Sequence, residues 1–255
     1  MGRNIVLYER EDSVAVITLN SPASGNAVTG RIISALEDIR ADLSERPDIR
    51  VVILTGKDTF CCGTDRNVLS SFKDKEALIR ELSAAPLIAG LDRPTIAAID
   101  GDALGQGLEL ALCCDLRICS ERARFAMDQI SRGEIPWDGG TQRLARVVGR
   151  GKAMEMIFTG TALDAGEALQ TGLVGRVVPS AELMPAATAM ARDLALKSPL
   201  ALRYAREAIY KGIELTLEQG LRLEADLYFL LHTTEDRTEG VRAFREKRPP
   251  RFTGR

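Results

Sequence analysis

Two short segments, VVILTG (Val51 to Gly56) and TIAAIDG (Thr95 to Gly101), are apolar almost from end to end, and each runs out into glycine. A strand wetted on one face alternates apolar and polar residues. An unbroken apolar run of this length instead fits a strand covered on both faces, as in a buried α/β sheet. After the first run comes FCCGTD (Phe60 to Asp65), and the second opens GDALGQGLELALCCD (Gly101 to Asp115), where LELALCC continues as a helix. Glycine permits positive φ and close backbone approach, and a helix start presents N–H groups that lack intrahelical partners. Two such N–H groups, one from each loop, are placed to bind a single oxygen atom, which points to an enzyme.

The second loop also supplies a carboxylate. Glu109 lies just past Gly107 inside an apolar run, where desolvation raises its pKa and the helix dipole lowers it. Beside a pair of oxyanion donors it is equipped to move protons at carbon; a first-turn Glu that merely caps its helix is the plainer alternative.

Other chemistries are poorly supplied. The five cysteines, Cys61, Cys62, Cys113, Cys114 and Cys119, form no Cys-x-x-Cys or zinc spacing and read as buried small hydrophobes. The single histidine, His232, sits in YFLLHTTED, away from every glycine loop, so a Ser-His-Asp arrangement has little to be built from. Acid–base work falls to carboxylates, and no metal is expected. With a net charge of −2 there is no broad field for nucleic acid. Apolar stretches fall far short of a membrane span, and MGRNIVLYER enters a strand at once without a signal-peptide core, so a cytoplasmic protein is expected.

Along the chain, IVLYER and VAVITLN read as paired strands and Ala27 to Arg46 as a helix ending before Pro47. LRICS and ARFAM are further strands, a loop covers Gly133 to Gly140, and LVGRVVP supplies a late strand. Asp164 with Glu167, and Thr216 with Gln219, have capping-box spacing, and from about Met184 the pattern is helical.

FCCGTD resembles the pattern F-[AS]-A-G-A-D, GDALGQGLELALCCD resembles G-x-A-x-G-G-G-x-E-L-x-x-x-C-D, and GNAVT (Gly25 to Thr29) and IPWDGGTQRLARVVGRGKAMEMIFTG resemble the flanking segments of the enoyl-CoA hydratase/isomerase (crotonase) family. The resemblance covers nearly the whole chain. It implies an α/β fold, a crotonase-like spiral of ββα turns over residues 1–183, with a C-terminal helical oligomerisation region over 184–255 that packs on neighbours in a homotrimer or a hexamer. It implies an acyl-CoA substrate whose thioester oxygen is held by the backbone N–H groups of Thr64 and Gln106, with coenzyme A arriving as part of the substrate and no separate cofactor. The reaction expected is enoyl-CoA hydration in the broad sense, with enoyl or dienoyl isomerisation, hydrolysis or C–C bond chemistry as alternatives and a non-catalytic CoA-binding member behind them.

Two positions depart from the family pattern. Gln106 stands where glycine is usual, and the second glutamate of the hydratases falls on Gln129, an amide that exchanges no proton at neutral pH. Some relatives carry a catalytic Asp where this chain has Asp138, so Glu109 and Asp138 are the expected catalytic pair; the alternative for Asp138 is a plain Asp-Gly turn. Cys62, Asp65, Arg66, Gln129 and Trp137 are the expected substrate-side residues, Trp137 either walling an acyl pocket or anchoring its loop. Asp128 and Glu134 read as nearby solvated acids, and Lys247, Arg248 and Arg251 as contacts to CoA phosphates.

Overall fold

The computed structural model describes residues 5–65 and 74–255. β1 (Val6–Glu11) and β2 (Val14–Leu19) form an antiparallel hairpin whose turn places Asp12 at φ 53°, a left-handed conformation that a short polar side chain tolerates. α1 (Gly30–Ser44) then crosses over to β3 (Val51–Gly56), which pairs parallel with β2. α1 buries Ile32, Ile33, Leu36, Ile39 and Leu43 at helical spacing. It starts later than Ala27 because Val28 stays extended: its N–H donates to Gly63 O at 2.7 Å and its carbonyl accepts from Asp65 N at 3.0 Å. Thr29 caps the helix instead, accepting from Ile32 N.

After α2 (Lys75–Leu82) and α3 (Ala85–Ala89), β4 (Thr95–Ile99) joins β3, β5 (Asp102–Leu104) leaves the main sheet, and α4 (Gln106–Leu112) follows. β6 (Leu116–Ser120), β7 (Arg124–Ala126), α5 (Gly140–Thr159, interrupted at Gly149), β8 (Leu163–Asp164), α6 (Ala165–Gln170) and β9 (Arg176–Val178) complete two sheets. The larger runs β1-β2-β3-β4-β6-β9, parallel beyond the first hairpin, and the smaller runs β5-β7-β8. Capping boxes close on Asp164 with Glu167 and on Thr216 with Gln219.

The apolar strands are covered on both faces. Val52, Leu54, Ala97 and Ile99 face the core that contains α1 and α4, while Val51, Ile53, Ile96 and Ala98 face a second cluster with Leu183, Ala187 and Ala191. Those three belong to α7 (Leu183–Ala195), so the first of the C-terminal helices is a layer of the sheet. α8 (Pro199–Gly212), α9 (Leu217–Leu231) and α10 (Glu235–Glu246) follow it, and the buried clusters of the sheet take no residue from them. No described helix is long and apolar enough to cross a membrane.

Candidate active site

The two glycine loops are joined as neighbouring extended segments. Cys61 N–H donates to Asp102 O at 2.8 Å, and Leu104 N–H donates to Cys61 O at 2.9 Å. Gly107 allows this approach: a Cβ there would sit 2.1 Å from Cys61 O, inside a backbone atom. Gly63 adopts φ 106°, and the Thr64 hydroxyl donates to Gln106 Oε1 at 2.7 Å, so the residues of the two expected donors are in contact. Neither the Thr64 nor the Gln106 N–H donates to a backbone carbonyl among the described residues, and Gln106 is the first residue of α4, where N–H groups lack helical acceptors.

Asn26 fixes the first loop from behind, and the sequence reading assigned it no role. It is fully buried at φ 56°; its Nδ2 donates to Thr59 O at 2.6 Å and, at longer range, to Lys57 O and Phe60 O, while its Oδ1 accepts from Ser21 N at 2.7 Å. An amide with donors and an acceptor and a tolerance for left-handed backbone meets all of these demands, so Asn within GNAVT was the available signal.

A cavity of about 260 Å³ opens between the loops, with Cys62, Gly63, Thr64, Gly105 and Gln106 on one side and Asp128, Gln129, Arg132, Glu134 and Trp137 on the other. Trp137 therefore walls the cavity. Asp128 and Glu134 both pair with Arg132, at 2.7 and 3.3 Å. Cys62 is exposed, unlike the other four cysteines, because it stands at this opening, which corrects its reading as a buried hydrophobe. Arg66 lies outside the described residues, and Asp65 gives its backbone N–H to Val28 O. His232 packs against Tyr228, ring centroids 4.8 Å apart, at the end of α9. Lys247 ends α10 in a left-handed conformation, Arg248 pairs with Glu239 and Glu246, and Arg251 N–H donates to Glu239. No group of three His, Cys, Asp or Glu side chains suited to a metal occurs among the described residues.

Glu109 has no exposed surface. Its Oε1 accepts the backbone N–H groups of Asp138 at 2.9 Å and Gly140 at 2.8 Å, and its Oε2 faces Gln129 Nε2 at 3.4 Å, long for a hydrogen bond. Gln129 Oε1 is buried without a partner. Burial pushes the Glu109 carboxyl up to about 7, helped by the Asp138 charge and opposed by the backbone donors and by Arg143. A carboxyl at that value can hold or release a proton near neutral pH, as a group that must do both requires.

Asp138, buried next to Trp137, points away from the cavity. Its Oδ2 accepts Ala84 N–H at 2.9 Å, Ala85 N–H at 3.0 Å and Gln106 Nε2 at 3.0 Å, and its Oδ1 accepts the Ser83 hydroxyl. It therefore anchors the start of α3 and fixes the Gln106 side chain.

The raised Glu109 pKa has a consequence for stability. Relative to an unfolded value of about 4.5, a folded value of about 7 means that the native state binds more protons between them. The stabilisation, on the order of 3 kcal/mol, is full below the unfolded pKa and is lost as pH rises through the folded one. Glu109→Gln is isosteric and keeps an acceptor for the two N–H groups. Thermal melts from pH 4.5 to pH 8 should therefore show the variant gaining on the wild type as pH rises; a gap that stays constant would mean that Glu109 titrates alike in both states.

The full-chain comparison decides the family. The enoyl-CoA hydratase/isomerase family model matches residues 9–255. The chain belongs to the enoyl-CoA hydratase/isomerase family. It is 39% identical over 257 residues, covering 100% of both chains, to a Mycobacterium tuberculosis protein named "Probable enoyl-CoA hydratase echA8". It is 38% identical over 253 residues to the 2,3-dehydroadipyl-CoA hydratase of Escherichia coli, covering 98% of this chain and 99% of that one. The crystal structure of an enoyl-CoA hydratase from Bacillus anthracis superposes with a TM-score of 0.91 at 37% identity, covering 98% of this chain and 100% of the other. With hydratases aligned end to end, this family member is an enoyl-CoA hydratase in the broad sense, and isomerisation is the runner-up.

Proposed function

We propose that the chain adds water to an enoyl-CoA thioester using one carboxylate, Glu109, and two backbone donors, the N–H groups of Thr64 and Gln106. The observation that supports this reading is the buried Glu109, locked through Oε1 while its Oε2 faces, among the described residues, only the amide nitrogen of Gln129 at 3.4 Å, a cavity-lining residue whose amide oxygen is buried without a partner. The thioester oxygen sits between the two N–H groups. A water that displaces the long Gln129–Glu109 contact gives one hydrogen to Gln129 Oε1 and the other to Glu109.

As the water oxygen bonds to Cβ, Glu109 takes its proton, the Cα=Cβ pair becomes a double bond between Cα and the carbonyl carbon, and the carbonyl π pair moves onto the thioester oxygen, forming an enolate held by the two N–H groups. Glu109 then returns the proton to Cα. One carboxylate suffices because the same group removes and delivers one proton, and Gln129 needs only to orient the water. Preorganised donors at such an oxygen are worth about 2.7–4 kcal/mol each when removed. Asp138 acts in this scheme by holding Gln106 and by raising the Glu109 pKa, since its own oxygens are occupied by four donors.

Coenzyme A enters with the substrate, so the reaction requires no other cofactor. The protein works as a homotrimer or a dimer of trimers, a reading supported by the apolar side chains left exposed on α9 and α10, including Leu217, Phe229 and Phe244 at 80%, 70% and 86%. Gln129→Leu, which removes the water's acceptor at similar volume, should lower the hydration rate about 10-fold or more with acyl-CoA affinity retained. An unchanged rate would remove Gln129 from the scheme. Sedimentation at micromolar concentration should give a trimer or its multiple, and a monomer would contradict the assembly.

A further inference from the structure

We infer that the Gln106 side chain is a positioning element that locks the two oxyanion donors to each other. Gln106 is 1% exposed, and both ends of its amide are engaged. Its Oε1 accepts the Thr64 hydroxyl at 2.7 Å; its Nε2 donates to Leu82 O at 2.6 Å and to Asp138 Oδ2 at 3.0 Å. The residue that offers the first N–H is thus tied, side chain to side chain, to the residue that offers the second. Glycine at position 106 would supply the N–H and none of these ties.

The brace extends further in both directions. Asp138, which fixes Gln106 Nε2, also gives its backbone N–H to Glu109 Oε1 at 2.9 Å, and Ser83 donates to its other oxygen. A continuous hydrogen-bonded chain, Ser83 to Asp138 to Gln106 to Thr64, buried at its two middle residues, therefore connects the end of α2, the loop before α5 and both glycine loops. Every polar atom of the Gln106 amide has a partner, so the network specifies one geometry and leaves no unmet buried group to loosen it. Displacement of donors by as little as 1 Å can cost on the order of 10²-fold in rate, which is the scale on which such a brace acts.

The inference rests on the thioester reading above and is tested with a probe that does not need turnover. An aryl-substituted acryloyl-CoA, whose absorbance moves to the red when its carbonyl is polarised, is bound to wild type, Gln106→Gly, Thr64→Val and Thr64→Ser, and kcat and KM are measured for an enoyl-CoA. Gln106→Gly and Thr64→Val should each lose part of the red shift and lower kcat about 10-fold or more with KM little changed. Thr64→Ser, which keeps the hydroxyl, should recover most of the shift and kcat that Thr64→Val loses, and the double variant Gln106→Gly/Thr64→Val should be no worse than Gln106→Gly alone. An undiminished shift and kcat in Gln106→Gly and Thr64→Val, or losses that multiply in the double variant, overturn the brace. Failure of wild type to bind or shift the probe would instead sink the thioester reading.

Discussion

Glu109→Gln is expected to lower kcat for enoyl-CoA hydration by about 10²–10⁴-fold, because in the proposed scheme it removes the one group that takes the water proton and returns it to carbon. Acyl-CoA binding should be nearly unchanged, since Gln keeps the volume and an oxygen for the Asp138 and Gly140 N–H groups. The variant should also be the more stable protein at pH 8, where the wild type holds a charge without solvent around it. Loss of activity with gain of stability separates a catalytic group from a structural one. Steady-state kinetics and melting curves on the same preparation make the comparison, and near-normal turnover would end the assignment.

Gly107→Ala should have the second large effect. The added Cβ would meet a backbone oxygen, Cys61 O, at 2.1 Å, and no rotamer change can relieve that. Either the two extended segments part, breaking the Cys61–Asp102 and Leu104–Cys61 hydrogen bonds, or α4 shifts. Overpacking of this kind costs about 1–3 kcal/mol, and a displaced donor pair costs on the order of 10²-fold in rate. Gly151→Ala is the control, because nothing lies within 4 Å of its added Cβ. Equal melting temperatures and rates for the two variants would show that the loops tolerate separation.

Features governed by local chemistry were legible in the sequence. The unbroken apolar runs of β3 and β4 announced burial on both faces, the spacing of Asp164 with Glu167 and Thr216 with Gln219 announced helix starts, and the glycines announced two loops that approach closely. What the sequence did not disclose is set by contacts between distant segments. Asp138 reads equally well as a turn residue or an acid, and its orientation follows from Ser83, Ala84 and Ala85, more than fifty residues earlier. Val28, inside the span that reads as helix, stays extended because Gly63 and Asp65, across the loop, complete its hydrogen bonds. The Gln106 side chain looks like an obstruction in a glycine position until Thr64, Leu82 and Asp138 are seen around it.

The central claim is that Glu109 and two backbone N–H groups add water across an enoyl thioester. A short trans-2-enoyl-CoA incubated with the protein in H₂¹⁸O, and separately in D₂O, tests it by mass spectrometry of the acyl product. The account predicts a 3-hydroxyacyl-CoA carrying one ¹⁸O at Cβ in the first case and one deuterium at Cα in the second, with both nearly abolished by Glu109→Gln. An isomerised enoyl product without ¹⁸O, or hydration that survives Glu109→Gln, would contradict it.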